Sequence, residues 1–404
     1  MKNKVLYLVS SAAFIRSFAQ VMHTPSQIEM RASLGTNATM IGMVLSVYAL
    51  VFAFSQVAYG PVVDRFEGKR ILLVGMIMFT VGSLGCYLAP GIGLLLAARS
   101  VQALGIAAAA VVAIALIADL IPYEQRGRAL GTFEIFNAAG AAAGPVAGAY
   151  VAVWIGWRVD FFVLAILGLG FLLFSLKELP AQPVQPQSVG LAEVGTILRN
   201  PATLGALFMG MAQFYGLFTN FAILPLLLTE RMGMEVGRTG VMIAFLPLGA
   251  MIGSLIGGRF VDRFSLRLTL LLGSAGTVIS FSALTPFSGL ASPDTPLIVV
   301  PVIIMACGFS VGFGLPALLK IMVDFFPEMR GTAGAMQVFA RFFGATLAPA
   351  LTSYLADSVG LAAGFGSAAA ILAVGGLLGF FTISDPEPFD AKLKADKSGW
   401  LEQT

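Results

Sequence analysis

The sequence predicts an all-α polytopic membrane protein, with 12 transmembrane helices in two pseudo-symmetric six-helix bundles. Three observations carry that expectation. Apolar residues make up 58% of the 404 residues and Asp, Glu, Lys and Arg only 11%, against roughly 45–50% and 25% in soluble domains. With 24 basic and 21 acidic side chains, a soluble fold of this length could not cover its surface. The apolar residues also gather into twelve runs close to the roughly 20 residues that a helix needs to cross hydrocarbon. Finally, the chain repeats itself near half its length. Gly60, Asp64, Arg65 and Phe66 return as Gly258, Asp262, Arg263 and Phe264, an offset of 198. Asp119, Pro122, Arg126 and Gly127 return as Asp324, Pro327, Arg330 and Gly331, offsets of 204 to 205.

The first bundle (1–176) holds spans at 5–24, 39–59, 71–88, 94–118, 129–152 and 160–176. Span 1 is long and lacks a small-residue cleavage pattern, so it reads as a retained helix and not a signal peptide. Span 2 runs into the first copy of the repeat, and span 3 follows the basic pair Lys69 and Arg70. Span 4 contains Arg99 and ends on the second repeated element, span 5 carries Glu134 and a glycine series, and span 6 stops at Lys177. Residues 177–202 then place Pro180, Pro183 and Pro186 among Gln and Ser, a linker composition. The second bundle (203–383) repeats the pattern at 203–228, 239–258, 268–286, 297–319, 333–356 and 361–383, and a polar tail (384–404) closes the chain. All twelve should be helices, because lipid offers no partner for an open strand edge.

The basic residues orient the bundle. With the N-terminus inside, 17 Lys and Arg fall in inner segments and only Arg31, Arg158, Arg231 and Arg238 in outer ones. This asymmetry predicts both termini in the cytoplasm. Cys86 and Cys307 both lie in apolar runs, which argues against a disulfide scaffold or a cysteine metal site. The net charge of +3 is scattered over inner loops and builds no nucleic-acid patch. A duplicated 6+6 helical architecture is that of rocker-type secondary transporters, which bind substrate at the midplane between the halves.

Specific motifs sharpen this. The loop after span 2 supplies Gly60, Asp64, Arg65, Gly68, Lys69 and Arg70, with Glu67 one residue more than the usual spacing. Span 4 supplies Arg99, Gln102, Ala103 and Gly105; span 5 supplies Gly140, Gly144, Pro145 and Gly148. By these motifs the chain resembles the major facilitator superfamily over nearly its whole length, and the span-5 motif resembles the 12-helix proton-coupled drug antiporters in particular. The resemblance implies the major facilitator fold in a prokaryotic cytoplasmic (inner) membrane. It implies a monomer driven by the proton gradient, with no other cofactor and no metal, whose partners are protons, lipid and a small-molecule substrate. It also implies that Asp64 faces the start of span 11 and latches the cytoplasmic side, with Asp262 and Arg263 as the pseudo-symmetric copy and Asp119 nearby. Span 5 would pack its glycine face on the opposite half, and Arg99 would take part in coupling.

Charge inside hydrocarbon is the sharper clue from the residues themselves. By these span limits Arg16, Arg99, Glu134 and Arg341 are the ionisable residues well inside, each costing about 2.5–3.5 kcal/mol on insertion scales. Arg16 lies about 16 Å into span 1, Glu134 roughly 9 Å into span 5 and Arg341 roughly 12 Å into span 11. Glu134, as the sole carboxylate in this set, is the candidate for proton exchange; a fixed salt bridge to Arg16 or Arg341 is the competing reading. His23, at the outer end of span 1, reads as a bystander at the interface. Gln20, Tyr48, Gln56, Asn137, Gln213, Tyr215, Asn220 and Gln337 are the expected polar lining, with Phe and Met around them. A wide apolar pocket with few polar anchors suits amphipathic substrates. Export of drug-like molecules in exchange for protons is the leading expectation. A proton symporter or uniporter for a small organic anion or sugar is the alternative, and nothing in the sequence points to an enzyme.

Overall fold

A computed structural model of the chain describes residues 2–63, 65–121, 123–179, 191–326 and 329–383. Fourteen α-helices and no strand occur among the described residues. The first six long helices are α1 (Lys2–Val21), α3 (Ala38–Val63), α4 (Gly68–Tyr87), α5 (Ile92–Leu120), α6 (Tyr123–Trp154) and α7 (Arg158–Glu178). The last six are α9 (Pro201–Leu226), α10 (Val236–Arg263), α11 (Leu266–Leu290), α12 (Val299–Phe325), α13 (Arg330–Ser358) and α14 (Leu361–Thr382). Two short helices, α2 (Gln27–Ser33) and α8 (Leu191–Leu198), lie between them. Each long helix matches one expected span, and ten of the twelve are long and apolar enough to cross a membrane by length and composition alone. The other two, α1 and α13, carry Arg16 and Arg341.

Capping and punctuation set several helix ends. Asn200 caps α9 by accepting from the Ala202 N–H (2.9 Å), with Pro201 at the first helical position. Ser265 caps α11 by accepting from the Leu268 N–H (3.0 Å). The reversal between α6 and α7 turns on Gly156, whose φ of 114° is costly for any residue with a Cβ.

Within the first bundle α1 packs on α5 and α6, and α4 on α5 and α7; in the second, α10 packs on α12, α9 on α13 and α14, and α11 on α12 and α14. Small residues permit the closest of these approaches. Gly249, Gly253 and Gly257 of α10 lie against the backbone of Met305, Phe309 and Phe313, while Gly308 and Gly312 of α12 lie against Leu246 and Ala250. Without a hydrophobic drive between helices in lipid, such backbone contact supplies the dispersion that holds them together. The two bundles meet along α3 with α13 and along α6 with α10. The sequence repeat exchanges these two seams, as a pseudo-two-fold axis requires.

The face that carries the start of α1 and the end of α14 is the terminal face; its opposite is the far face. The connection from α1 to α3 is more ordered than a bare loop. It forms a tight turn at Thr24–Ser26 and then α2, which lies across the far end. There the Trp157 indole donates to Ser33 Oγ (2.8 Å) and Gln27 Nε2 donates to the Phe221 carbonyl of the other bundle (2.9 Å). The expected linker contains α8, while residues 180–190 and the tail 384–404 lie outside the described residues.

Candidate functional site

The space between the bundles is lined at mid-depth by α1, α3, α6, α9 and α13. Arg16 of α1 donates through Nη2 to Asn137 Oδ1, and Ser17 Oγ donates to the same oxygen. Asn137 Nδ2 in turn donates to Glu134 Oε2 (3.1 Å). Asn137 and Glu134 stand three residues apart on α6, one helical turn, so their side chains meet on one face. Neither arginine forms the fixed salt bridge to Glu134 weighed from the sequence among the ion pairs of the described residues. Instead Asn137 bridges Arg16 to Glu134, and Glu134 acts electrostatically on both Arg16 and Arg341. Glu134 is exposed although Arg16 of α1 and Arg341 of the opposite bundle's α13 act on it.

Three rings continue the site across the seam. The Arg16 guanidinium lies 5.5 Å from the Phe52 ring centre and 5.9 Å from that of Phe342. Phe342 is 4.6 Å from Phe52 and 5.7 Å from Phe214, and Arg341 lies 5.5 Å from Phe214. Such cation–ring contacts contribute about 0.5–2 kcal/mol each, more where water is excluded. Arg341 Nε and Nη2 are buried without a hydrogen-bond partner, as are Gln213 Nε2 and Oε1 and Gln337 Oε1.

The remaining expected residues divide. Gln20 is buried with an unpartnered Nε2, and Gln56 reaches the Ala107 carbonyl (3.5 Å). Gln337 Nε2 donates to Ala206 O (3.5 Å), and Asn220 Nδ2 to Gly216 O of its own helix (3.4 Å). Two tyrosines expected to line the pocket do not. Tyr215 is turned to Ser367 of α14 (3.2 Å), inside the second bundle. Tyr48 is fully buried in the first bundle, where the Arg99 guanidinium lies 4.3 Å from its ring centre. Arg99 is itself fully enclosed there: Nη1 donates to Ala19 O (3.2 Å) and to Gln102 Oε1 (2.6 Å), and Gln102 Nε2 donates to Ser83 Oγ (2.7 Å). The span-4 motif thus ties α5 to α1 and α4.

The span-5 glycines require a correction. A Cβ on Gly140 or Gly148 would come closer than 3.0 Å to the backbone of Phe14 or Met22, and one on Gly144 would crowd Phe18 and Val21. All three face α1 of their own bundle. The opposite bundle meets the other side of the helix, where Pro145 O and Ala149 abut Gly240 of α10. Glycines four apart mark one face, and the sequence does not say which neighbour lies on it.

The gate residues engage neighbours in their own bundles in this arrangement. Asp262 Oδ1 accepts from Lys320 Nζ (3.3 Å), a partner on α12 of the same bundle. Arg263 stacks near Phe264 (5.8 Å). Arg70 pairs with Glu67 (3.0 Å), Lys69 donates to the Leu176 carbonyl (3.3 Å), Gly68 opens α4 and Arg65 is exposed. Asp64, and the side-chain environments of Gly60 and Asp119, lie outside the described residues.

Two buried groups alter the inventory of intramembrane charge. Asp160, at the first turn of α7, is fully buried with Ser26 Oγ at 3.4 Å from Oδ2 and Oδ1 unpartnered. Glu134 is therefore not the lone carboxylate within the twelve long helices' packed spans. His23 is enclosed beside the Phe161 ring (5.7 Å) with both ring nitrogens unpartnered, not exposed at the interface. The turn at Thr24–Ser26 covers both, and no pattern in the sequence marks it.

A helical membrane protein with two related bundles and a polar, aromatic site in the seam between them is built as a secondary transporter. The family model of the Major Facilitator Superfamily matches residues 9–344 and 215–402, and the chain belongs to that superfamily. It is similar to multidrug resistance protein 3 of Bacillus subtilis (strain 168), 28% identical over 347 residues, 72% of this chain and 67% of that one. A probable L-galactonate transporter of Escherichia coli (strain K12) is 24% identical over 389 residues, 89% of this chain and 84% of that one. Among solved structures, a bacterial homolog of the human lysosomal transporter Spinster, inward-facing and occupied, superposes with a TM-score of 0.79. That match has 17% identity and covers 94% of this chain and 96% of the other, a likeness of fold.

Proposed function

We propose that this transporter exports drug-like or amphipathic small molecules in exchange for protons by alternating access, with both termini in the cytoplasm of a prokaryotic cell. The observation that carries the reading is Glu134: a carboxylate between the bundles, open to water here and held by Asn137 beside two guanidiniums. A carboxylate that alternates between water and an enclosed site binds and releases a proton over the cycle, because burial penalises its charged form. The hydrogen bonds and ion pairs that join described residues of the two bundles all lie toward the far face: Gln27 to Phe221, Arg31 to Glu230, Thr39 to Asp357 and Ser46 to Ala350. Under the orientation that the basic residues favour, this is an inward-open arrangement, in which Glu134 yields its proton to the cytoplasm as substrate enters. Relatives named for multidrug resistance support the substrate class.

Proteoliposomes loaded with a pH-sensitive dye and challenged with a panel of amphipathic compounds test this. Some compounds should drive proton flux opposite to their own, and Glu134→Gln should abolish that flux while keeping binding. Transport that survives collapse of the gradient, together with full activity of Glu134→Gln, overturns it. One observation favours the second reading, a symporter or uniporter for an organic anion: the unpartnered N–H groups of Arg341 suit an anion. In that case proton and substrate move together, or no proton moves.

A further inference from the structure

We infer that the seam site selects an amphipathic monoanion, an aromatic or similarly flat apolar body carrying one carboxylate-like group, and that Arg341 receives that group. The inference names the substrate class of the site proposed above and rests on that reading for its role in transport. Three features carry it.

Charge is the first. Two guanidiniums, Arg16 and Arg341, share the site with one carboxylate, Glu134, which leaves a single positive charge when all three are ionised. The second is how the charges are engaged. Arg16 is held by Asn137, and Asn137 by Glu134, so those groups form a connected set. Arg341 stands apart from it, with Nε and Nη2 buried and without partners. In a guanidinium these two nitrogens point their N–H bonds along one edge, the fork that meets a carboxylate with two parallel hydrogen bonds. An unmade hydrogen bond in a buried site is costly, and a pair vacant along one edge is matched by a planar two-oxygen anion. Gln213 and Gln337, also holding unpartnered buried atoms, belong to the second bundle with Arg341.

The third feature is what lies beside the guanidinium. The Phe214 ring, 5.5 Å from the Arg341 guanidinium, belongs to the aromatic series Phe52, Phe342 and Phe214 that reaches Arg16 on the other side. An entering anion displaces Phe214 from Arg341 and stacks its apolar body in that series. The cation–ring contact is thereby exchanged for a charge-assisted pair. An organic cation meets the same surplus positive charge as repulsion.

Purified full-length protein in lipid nanodiscs tests this with three probes of one shape: 2-naphthoate, 2-naphthalenemethanol and 2-naphthylmethylammonium. Binding of tritiated 2-naphthoate is measured at one fixed pH without a gradient, and the other two are scored as competitors. The carboxylate should bind at least about tenfold more tightly than either, roughly 1.4 kcal/mol. Arg341→Gln should erase the preference, and Arg341→Lys, a point charge without the fork, should restore only part of it. Phe214→Ala should keep the preference, which holds the inference to account if Arg341→Gln does not fold. Equal or tighter binding of the ammonium probe overturns the inference, as does a preference unchanged in Arg341→Gln or lost in Phe214→Ala. No proton gradient enters the measurement, so failure of proton exchange leaves this outcome standing, and the reverse holds.

Discussion

Asn137 is the residue on which the seam chemistry turns. Its carbonyl oxygen accepts from Arg16 and Ser17 and its amide donates to Glu134, so one side chain fixes both a charge and the candidate proton carrier. Asn137→Ala leaves the Arg16 guanidinium without that acceptor, a loss of about 1–3 kcal/mol for a charged, partly buried donor, and frees Glu134 from the amide that positions it. We expect proton-driven exchange in proteoliposomes to fall by about 5- to 150-fold, the equivalent of that energy. Ser17→Ala removes one of two donors to an oxygen that Arg16 still engages, and should stay within about twofold of wild type, the equivalent of about 0.4 kcal/mol. A wild-type rate in Asn137→Ala would show that Glu134 is positioned by something else. Arg16, Glu134 and Arg341 were legible because charge in an apolar run stands out, and Asn137 as one of the few polar residues of its run. Asp160 was not, because that residue lies at a span boundary, where a carboxylate reads as solvated. Only the chain folding back through Thr24–Ser26 encloses it.

At the scale of helices, glycine positions separate contacts that hold a bundle together from contacts that hold the bundles closed. Gly240 of α10 meets Pro145 O and Ala149 across the seam, and Gly42 of α3 meets Pro349 O and Ser353 Oγ. A Cβ at either site would lie closer than 3.0 Å to the other bundle, so far-face closure would be strained by about 1–3 kcal/mol. Gly148 meets Met22 O inside the first bundle. Gly240→Ala and Gly42→Ala should therefore shift the population toward a far-open form. Electron–electron distance measurements between spin labels at Met40 and Leu351 should show a longer component growing. Gly148→Ala should instead lower thermal stability and leave that distance distribution unchanged; the opposite pattern would reverse the assignment of the seams. The twelve long helices were legible because hydrocarbon imposes both length and composition on each run. Which face of α6 meets which neighbour was not, because glycine spacing defines a face without naming what packs on it. The order of 24–33 was equally hidden, since Gln27 and Ser33 are fixed by partners in distant helices, Phe221 and Trp157.

For the molecule as a whole, the polar contacts between described residues of the two bundles gather at the far face, and Glu134 is exposed deeper in the seam. If the two bundles rock about the site, Arg31 and Glu230 must separate in every cycle, since α2 and the turn after α9 carry them on opposite bundles. An exposed pair of this kind contributes little stability on its own, typically under about 1 kcal/mol, so replacing both residues should leave the fold intact. Arg31→Cys combined with Glu230→Cys places one thiol on each side of the far-face contact, and the native Cys86 and Cys307 are buried and will not compete readily. A bifunctional methanethiosulfonate long enough to replace the Arg and Glu side chains should join the two thiols and stop net transport in proteoliposomes, and reduction should restore it. Binding of a ligand that enters from the terminal face should persist in the cross-linked protein, because the linker holds the molecule in the state described here. Turnover that continues through the cross-linked protein would mean that substrate crosses without parting α2 from α9, and that the bundles do not move as two bodies about this seam.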